Sequence, residues 1–213
     1  MGIQSVATRP AWRGRGLSHD LLRRALLWCD ANAPLTYLMT AIPGFYQSLD
    51  FRILPQFKYV GEAPAALPHP RRCRRLDLGS RMDRKLLAQV LRRRRPVSAR
   101  FAVDGSQGAF VLNLLDQTEL APWYLPHHDA IVVTAEQPNG TLCIIDVAAP
   151  EMPNVREVLA GLGAVAARVE VHFPPDQLGL TGVAVSVETS TMLMVRGDPG
   201  QLDPFMFPET AAF

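Results

Sequence analysis

The sequence has no long apolar run. Stretches such as residues 130–133 are short, far below the roughly 18 to 20 residues that a membrane-spanning helix needs. No basic segment followed by an apolar stretch stands at the N-terminus, so no secretory leader is expected. Met1-Gly2 fits the start of a myristoylation signal, but Val6 stands where that signal takes Ser or Thr. Cysteine is scarce. Cys29, Cys73 and Cys143 are scattered, odd in number and share no Cys-x-x-Cys spacing. This excludes a disulfide scaffold and a zinc motif built on close ligand pairs, and it fits a reducing, cytoplasmic compartment. His127 and His128 stand beside Asp129 at a Pro-flanked turn and read as solvated loop residues; no metal site is expected. Hydrophobic residues are 48% and charged residues 20% of the 213, which excludes disorder and leaves one large domain or two small ones.

Acidic residues are rare in the first half and basic ones in the second. Residues 1–100 carry 19 Lys/Arg and 6 Asp/Glu, a net +13, whereas residues 101–213 carry 3 and 14, a net −11. The bland total of +2 hides two parts of opposite charge, as expected of two units with different tasks.

Residues 3–8 read as a strand that Arg9-Pro10 ends. A turn with Gly14 and Gly16 follows, then a helix over residues 17–31 with Leu17, Leu21, Leu22, Ala25, Leu26 and Cys29 on one face. Residues 35–40 form a second strand, 43–49 a short helix with Pro43 in its first turn, and 51–60 a third strand. Residues 61–75 have linker composition, with Pro64, Pro68, Pro70 and the run Arg71-Arg72-Cys73-Arg74-Arg75. A helix spans 83–95, and Arg92 to Arg95 suit its C-terminal end. Beyond residue 100 strands predominate, at 100–103, 109–114, 130–136 and 141–147, the last two joined by an Asn139-Gly140 hairpin turn. A helix over 155–162, a strand over 168–173, a helical turn at 175–178 and a closing hairpin of 183–188 and 191–196 complete the series. The aromatic tail, residues 205–213, is expected to dock on the body.

The segment richest in chemistry is Arg13-Gly14-Arg15-Gly16-Leu17-Ser18, between strand and helix. Glycines let backbone N–H groups converge on a ligand without Cβ obstruction. Those groups and the positive helix end make an anion site. Arg9, Arg13 and Arg15 around it suit a multiply charged phosphate. The frame is neither GxxxxGK[ST] nor a complete GxGxxG.

The order strand, Arg-Gly-Arg-Gly-x-Ser, helix, strand, then Gly44-Phe45-Tyr46 and Phe51 resembles the GCN5-related N-acetyltransferase superfamily. Its Q/R-x-x-G-x-G/A signature lies over Arg13, Gly16 and Ser18. The resemblance implies an α/β (α+β) fold with the mixed sheet of acyl-CoA N-acyltransferases. It implies an acetyl-CoA-dependent N-acetyltransferase acting on a small-molecule or peptide amine. Acetyl-CoA would be the co-substrate, its pyrophosphate at Arg13, Gly14, Arg15, Gly16, Leu17 and Ser18, and its pantetheine arm along Val6, Ala7 and Thr8. The family's Tyr-x-x-x-Gly-Phe lies over Tyr46, Asp50 and Phe51. This implies Tyr46 as the general acid for the departing thiolate, a task a phenol suits. Two positions depart from the pattern. Ser18 stands for Gly or Ala, and Asp50 for Gly at a turn that favours positive φ, which Asp tolerates better than most residues. The resemblance covers residues 3–60 and only the family's second half; three strands and two helices have no counterpart before Met1. The first domain is therefore expected to be partial, its sheet completed by the second half or by another chain of a homo-oligomer.

Residues 100–196 repeat the same order and resemble the degenerate second domain of tandem members. The segment entering its helix, Ala148-Ala149-Pro150-Glu151-Met152-Pro153, lacks Gly and Arg and carries Glu151, so a phosphate would be poorly received. The expected organisation is half an acetyltransferase domain over residues 1–60, a linker over 61–75, and a second acetyltransferase-like domain over 76–213 with a docked tail. Asp20, Asp30 and Asp50 offer no evident general base. In tandem members of the enhanced-intracellular-survival type the terminal carboxylate enters the active site, which would give Phe213 that role. Two other readings stand beside the transferase. One is a truncated or degenerate protein that binds coenzyme A weakly without catalysis. The other is a nucleic-acid-binding module, suggested by the arginines of 71–75 and 92–95, although no aromatics interleave with them and no nucleic-acid motif appears. No membrane partner is expected.

Overall fold

The computed structural model describes residues 1–65, 73–103, 107–136 and 140–211. Along the chain run α1 (Leu17–Asn32), β1 (Thr36–Thr40), α2 (Pro43–Gln47), β2 (Arg52–Ile53), β3 (Phe57–Glu62), β4 (Arg74–Arg75), α3 (Arg81–Arg93), α4 (Gln107–Asp116), β5 (Leu120–Leu125), β6 (Ala130–Ala135), β7 (Thr141–Ala148), α5 (Val155–Leu162), β8 (Arg168–Val171), β9 (Val183–Ser186) and β10 (Met192–Arg196). They form two compact units, each drawing on two chain segments: Met1–Pro55 with Val187–Leu202, and Gln56–Ser186 with the tail from Asp203. Among the described residues no helix is long and apolar enough to cross a membrane.

The first unit packs α1 on a three-stranded sheet of order β1-β10-β2, with β10 antiparallel to both neighbours. Leu22, Leu26 and Cys29 form the buried stripe of α1. Leu17, Leu21 and Ala25, expected on the same face, lie to one side of that stripe and are exposed, because the narrow sheet covers only one row. Leu22 and Leu26 pack with Leu38, Tyr46, Leu49, Phe51 and Met194.

Residues 3–8 do not form the expected strand. Ile3 N–H donates to Tyr37 O at 2.9 Å and Tyr37 N–H to Met1 O at 2.8 Å, a single parallel bridge. The positive φ of Ser5 (57°) then breaks the extended run. The strand expected at 51–60 is two strands in different sheets. Pro55, which has no N–H, separates them: Leu54 N–H bonds Leu193 O, and Phe57 N–H bonds Phe205 O.

The second unit is a seven-stranded sheet of order β4-β5-β6-β7-β8-β3-β9. Only β7 and β8 pair in parallel, and α5 supplies the crossover that a parallel pair requires. At β6 both sheet faces are buried, and its first four residues are an apolar run. Val132 faces Val147, Val158 and Leu159 on one side, while Ile131 and Val133 face Leu87, Val90, Phe110 and Leu114 on the other.

Here too the structure corrects the sequence reading. Residues 109–114 are helical, since Phe110 and Leu114, one turn apart, point into the core. The strand is β5 just beyond, obscured in the sequence by Pro122. Residues 100–103 form no strand, and the Ser98 hydroxyl accepts the N–H groups of Arg100 and Phe101 at a bend. At the described ends of residues 61–75, β3 reaches Glu62, and Arg74 and Arg75 pair with β5. The closing hairpin does not form either, as β9 pairs with β3 and β10 with β1 and β2. Asn139, Arg71 and Arg72 lie outside the described residues.

The tail packs on the second unit with Phe205, Met206 and Phe207 buried. Phe101 and Phe205 lie 4.2 Å apart between ring centres. Thr210 donates its hydroxyl to Asp146, which also pairs with Arg94 at 3.1 Å. Arg93 pairs with Asp129, so two members of the 92–95 arginine run are engaged internally.

Candidate functional site

The loop ahead of α1 is built by backbone constraints. A 3-10 turn, Pro10–Trp12, ends with Arg13 N–H on Pro10 O at 3.2 Å. Gly14 and Gly16 then both take φ of 73°, a region where Cβ is disfavoured. A Cβ on either glycine would meet nothing within 4 Å; the dihedral angle, not crowding, selects glycine. Gly16 precedes the helix and offers no side-chain cap, and the first helical bond runs from Asp20 N–H to Gly16 O at 3.0 Å. The earlier N–H groups of the first turn therefore have no acceptor within the helix, and they sit at its positive end. Arg13 Nε donates to Thr8 O at 3.1 Å, tying the loop to the preceding segment. The Arg15 guanidinium lies over the Trp12 ring, 4.9 Å from its centre.

A cleft of about 400 Å³ opens at this loop. Val6, Ala7, Thr8, Arg13, Gly14, Arg15, Gly16, Leu17, Ser18 and Tyr46 all line it. Arg9 does not; its carbonyl accepts Trp12 N–H within the 3-10 turn. Phe213 lies outside the described residues. Trp12, Ile42 and Phe45 also line the cleft and were missed in the sequence. Their only signal was an aromatic residue inside a basic loop and two apolar residues, one just before and one within the short helix.

Tyr46 sits on α2, its ring edge-on to Phe45 (5.0 Å) and Phe51 (6.0 Å). Burial pushes its phenol above the ordinary 10, so it is protonated at neutral pH and can donate a proton. Its carbonyl accepts the N–H groups of Leu49 and Phe51. Between them Asp50 has the positive φ (61°) that its place in the turn suggested. Arg196 on β10 holds this turn. It reaches Asp50 at 2.9 Å, Leu49 O at 2.7 Å, and both oxygens of Asp30 at 3.0 and 2.8 Å. The Arg196 bonds lower the Asp30 pKa, so Asp30 and Asp50 are ion-pair partners. Asp20 is exposed on the first turn of α1.

The corresponding turn of the second unit is chemically different. Glu157 N–H donates to Asn154 Oδ1 (3.0 Å), Asn154 N–H to Glu157 Oε2 (2.9 Å), and Val155 N–H to Leu178 O (2.8 Å). This capping box uses up donors that α1 leaves free.

No family model and no curated protein matches the sequence. Solved structures do match. A GCN5-related N-acetyltransferase from Kribbella flavida aligns with 91% of this chain and 51% of its own, at 18% identity and a TM-score of 0.50. A conserved protein of unknown function from Enterococcus faecalis, described as a probable N-acyltransferase, aligns over 92% and 53%, at 18% identity and 0.54. Eis1 from Mycobacterium abscessus aligns over 92% and 56%, at 14% identity and 0.52. The fold is that of the GCN5-related N-acetyltransferases. At these identities the likeness is one of fold, and the chain spans about half the length of each of the three. Within this acetyltransferase fold the glycine loop and Tyr46 occupy one cleft, and the cleft belongs to the first unit alone.

Proposed function

We propose that the first unit binds acetyl-CoA and that the chain carries the coenzyme side of an N-acetyltransferase acting on a small-molecule or peptide amine. One observation carries the reading: an uncapped helix N-terminus behind two left-handed glycines shares a cleft with a buried tyrosine. The loop suits a pyrophosphate, since its amides, helix end and two arginines all favour negative charge. Val6, Ala7 and Thr8, lining the same cleft, suit the narrow amide-bearing arm. In the transfer, the acceptor amine forms a bond to the acetyl carbon as the carbon–sulfur bond breaks. Tyr46 gives its proton to the leaving thiolate, the newly acylated nitrogen loses its extra proton to water, and the tyrosinate regains a proton from solvent. The second unit takes no coenzyme, because its equivalent helix end is occupied by its own capping box.

A second reading has its own support. Asp30 and Asp50 are both committed to Arg196, which removes these two carboxylates as bases and favours coenzyme binding without turnover. Calorimetry with acetyl-CoA tests both. Micromolar binding, lost in Arg13→Ala with the fold intact, is expected. Turnover of an amine library measured by thiol release then separates enzyme from binder. A folded protein that binds no coenzyme refutes the proposal.

A further inference from the structure

The second unit gathers a cysteine, a histidine and two glutamates whose sequence spacing gives no hint of a site. Cys143 stands on β7 and Glu170 on β8, and they are register partners in the parallel pair. His172 follows Glu170 by two residues, so both side chains leave the same face, and its N–H donates to Ile144 O at 3.0 Å. All three residues are buried. Cys143 Sγ lies 3.5 Å from His172 Nε2 and 3.7 Å from Glu170 Oε1, and Nε2 and Oε1 lie 2.9 Å apart. A tetrahedral zinc ion with bonds of about 2.0 to 2.3 Å sets its ligand atoms about 3.3 to 3.7 Å apart. Two of the three separations match, and the third needs the imidazole to withdraw by a few tenths of an ångström.

The surrounding groups orient these three atoms. Glu209, brought in by the docked tail, reaches His172 Nδ1 at 2.8 Å. A carboxylate on Nδ1 orients an imidazole for ligation through Nε2; the Nε2 proton, now shared with Glu170 Oε1, would leave as the ion binds. Lys58 holds Glu170 Oε2 at 2.8 Å, leaving Oε1 as the donor. Cys143, His172 and Glu209 line a cavity of about 590 Å³ that also touches Thr134 and Glu136, which leaves room beside the ligand atoms for a fourth. Ligating as a thiolate and a neutral imidazole beside two carboxylates and one ammonium, the group would carry −2, which a divalent ion balances. Mixed sulfur, nitrogen and oxygen donors suit zinc or cobalt better than calcium or magnesium. Burial argues against a nucleophilic role for Cys143, which is fully enclosed.

We infer that Cys143, Glu170 and His172 bind a zinc-type divalent cation, with Glu209 of the tail as the positioning residue on His172. The test is a titration of chelator-treated full-length protein with Co²⁺ and with Zn²⁺. One equivalent of Co²⁺ should give a thiolate-to-cobalt band in the near ultraviolet with tetrahedral d–d bands, and Zn²⁺ should displace it. Cys143→Ser should lose the ultraviolet band. Glu209→Gln, on the tail and less disruptive to the sheet, should weaken affinity roughly 10- to 100-fold while leaving the bands in place. No uptake by the folded parent overturns the site, as does uptake unchanged in folded Cys143→Ser. Rapid alkylation of Cys143 in metal-treated protein would likewise overturn it, in favour of a reactive thiol.

Discussion

Adding the same methyl group at Gly16 and at Gly108 should have opposite effects. Gly16 has φ of 73°, where an L-residue is strained by about 1 to 2 kcal/mol. Gly108 lies in the first turn of α4 without a positive φ, and a Cβ there also meets nothing within 4 Å. Ala at a helical position gains up to about 1 kcal/mol over Gly. Since neither site is crowded, the sign of the change reports backbone conformation alone. Hydrogen exchange by mass spectrometry reads each element separately. In Gly16→Ala the α1 amides should exchange roughly 5- to 30-fold faster, the factor that 1 to 2 kcal/mol represents. In Gly108→Ala the α4 amides should exchange a few-fold more slowly. Coenzyme affinity should fall in the first variant and stay level in the second. If Gly16→Ala leaves both α1 exchange and affinity unchanged, the loop does not need its left-handed glycine and the anion-site argument fails.

Tyr46→Phe keeps the ring contacts with Phe45 and Phe51 and should fold normally, but lower kcat by roughly 10²- to 10⁴-fold with little change in the KM for acetyl-CoA; an unaltered kcat removes Tyr46 from the mechanism. Because burial raises the phenol pKa above 10, the tyrosine-dependent rate should hold through neutral pH and fall only in strong alkali, which a pH–rate profile checks. Replacing Arg196 by Gln breaks its ties to Asp30, Asp50 and Leu49 O and should cost about 1 to 2 kcal/mol in urea unfolding, a modest figure because the acidic partners are partly exposed. Asp83 is held down to about 2 by Arg74 and by the Asp77 N–H. A depressed carboxyl stabilises the fold above its unfolded pKa and loses that contribution as pH falls through its folded value. The stability gap between the protein and Asp83→Asn should therefore shrink between about pH 4 and pH 2, and a gap that stays flat over this window contradicts the assignment.

Local periodicity carried most of what could be read in advance. The helix over 155–162 matches α5, whose Val155, Val158 and Leu159 recur at helical spacing and are buried. Asp50 was legible as a positive-φ residue because it stands where a glycine is usual. Pairing partners were not legible. Residues 183–188 and 191–196 look like a hairpin because they are two apolar runs with a polar turn. The strands go to different sheets, and only the partners β3 and β1 decide this. Phe110 and Leu114 misled for another reason: a short apolar run fits a strand or a buried helix equally well. The Cys143 cluster was invisible because its members are 27 and 29 residues apart and meet only through the β7–β8 register.

The two units show what decides whether a strand–loop–helix turn can receive an anion. Both α1 and α5 present a positive N-terminal end, so the dipole alone distinguishes nothing. In α5 the chain supplies its own acceptors: Asn154 and Glu157 satisfy each other's N–H groups, and Glu157 puts negative charge on the first turn. In α1 the residue ahead of the helix is glycine, with no side chain to fold back, and Leu17, Ser18 and His19 provide no counterpart to Glu157. The first turn of α1 is thus left to an outside acceptor. The charge split along the chain acts at the same place. At the α1 turn Arg13 and Arg15 outweigh Asp20, while at the capped turn of α5 Glu151 and Glu157 outweigh Arg156. Charge and capping therefore select the same turn, and a swap of caps alone, without the arginines, would open the second helix without making it a phosphate site.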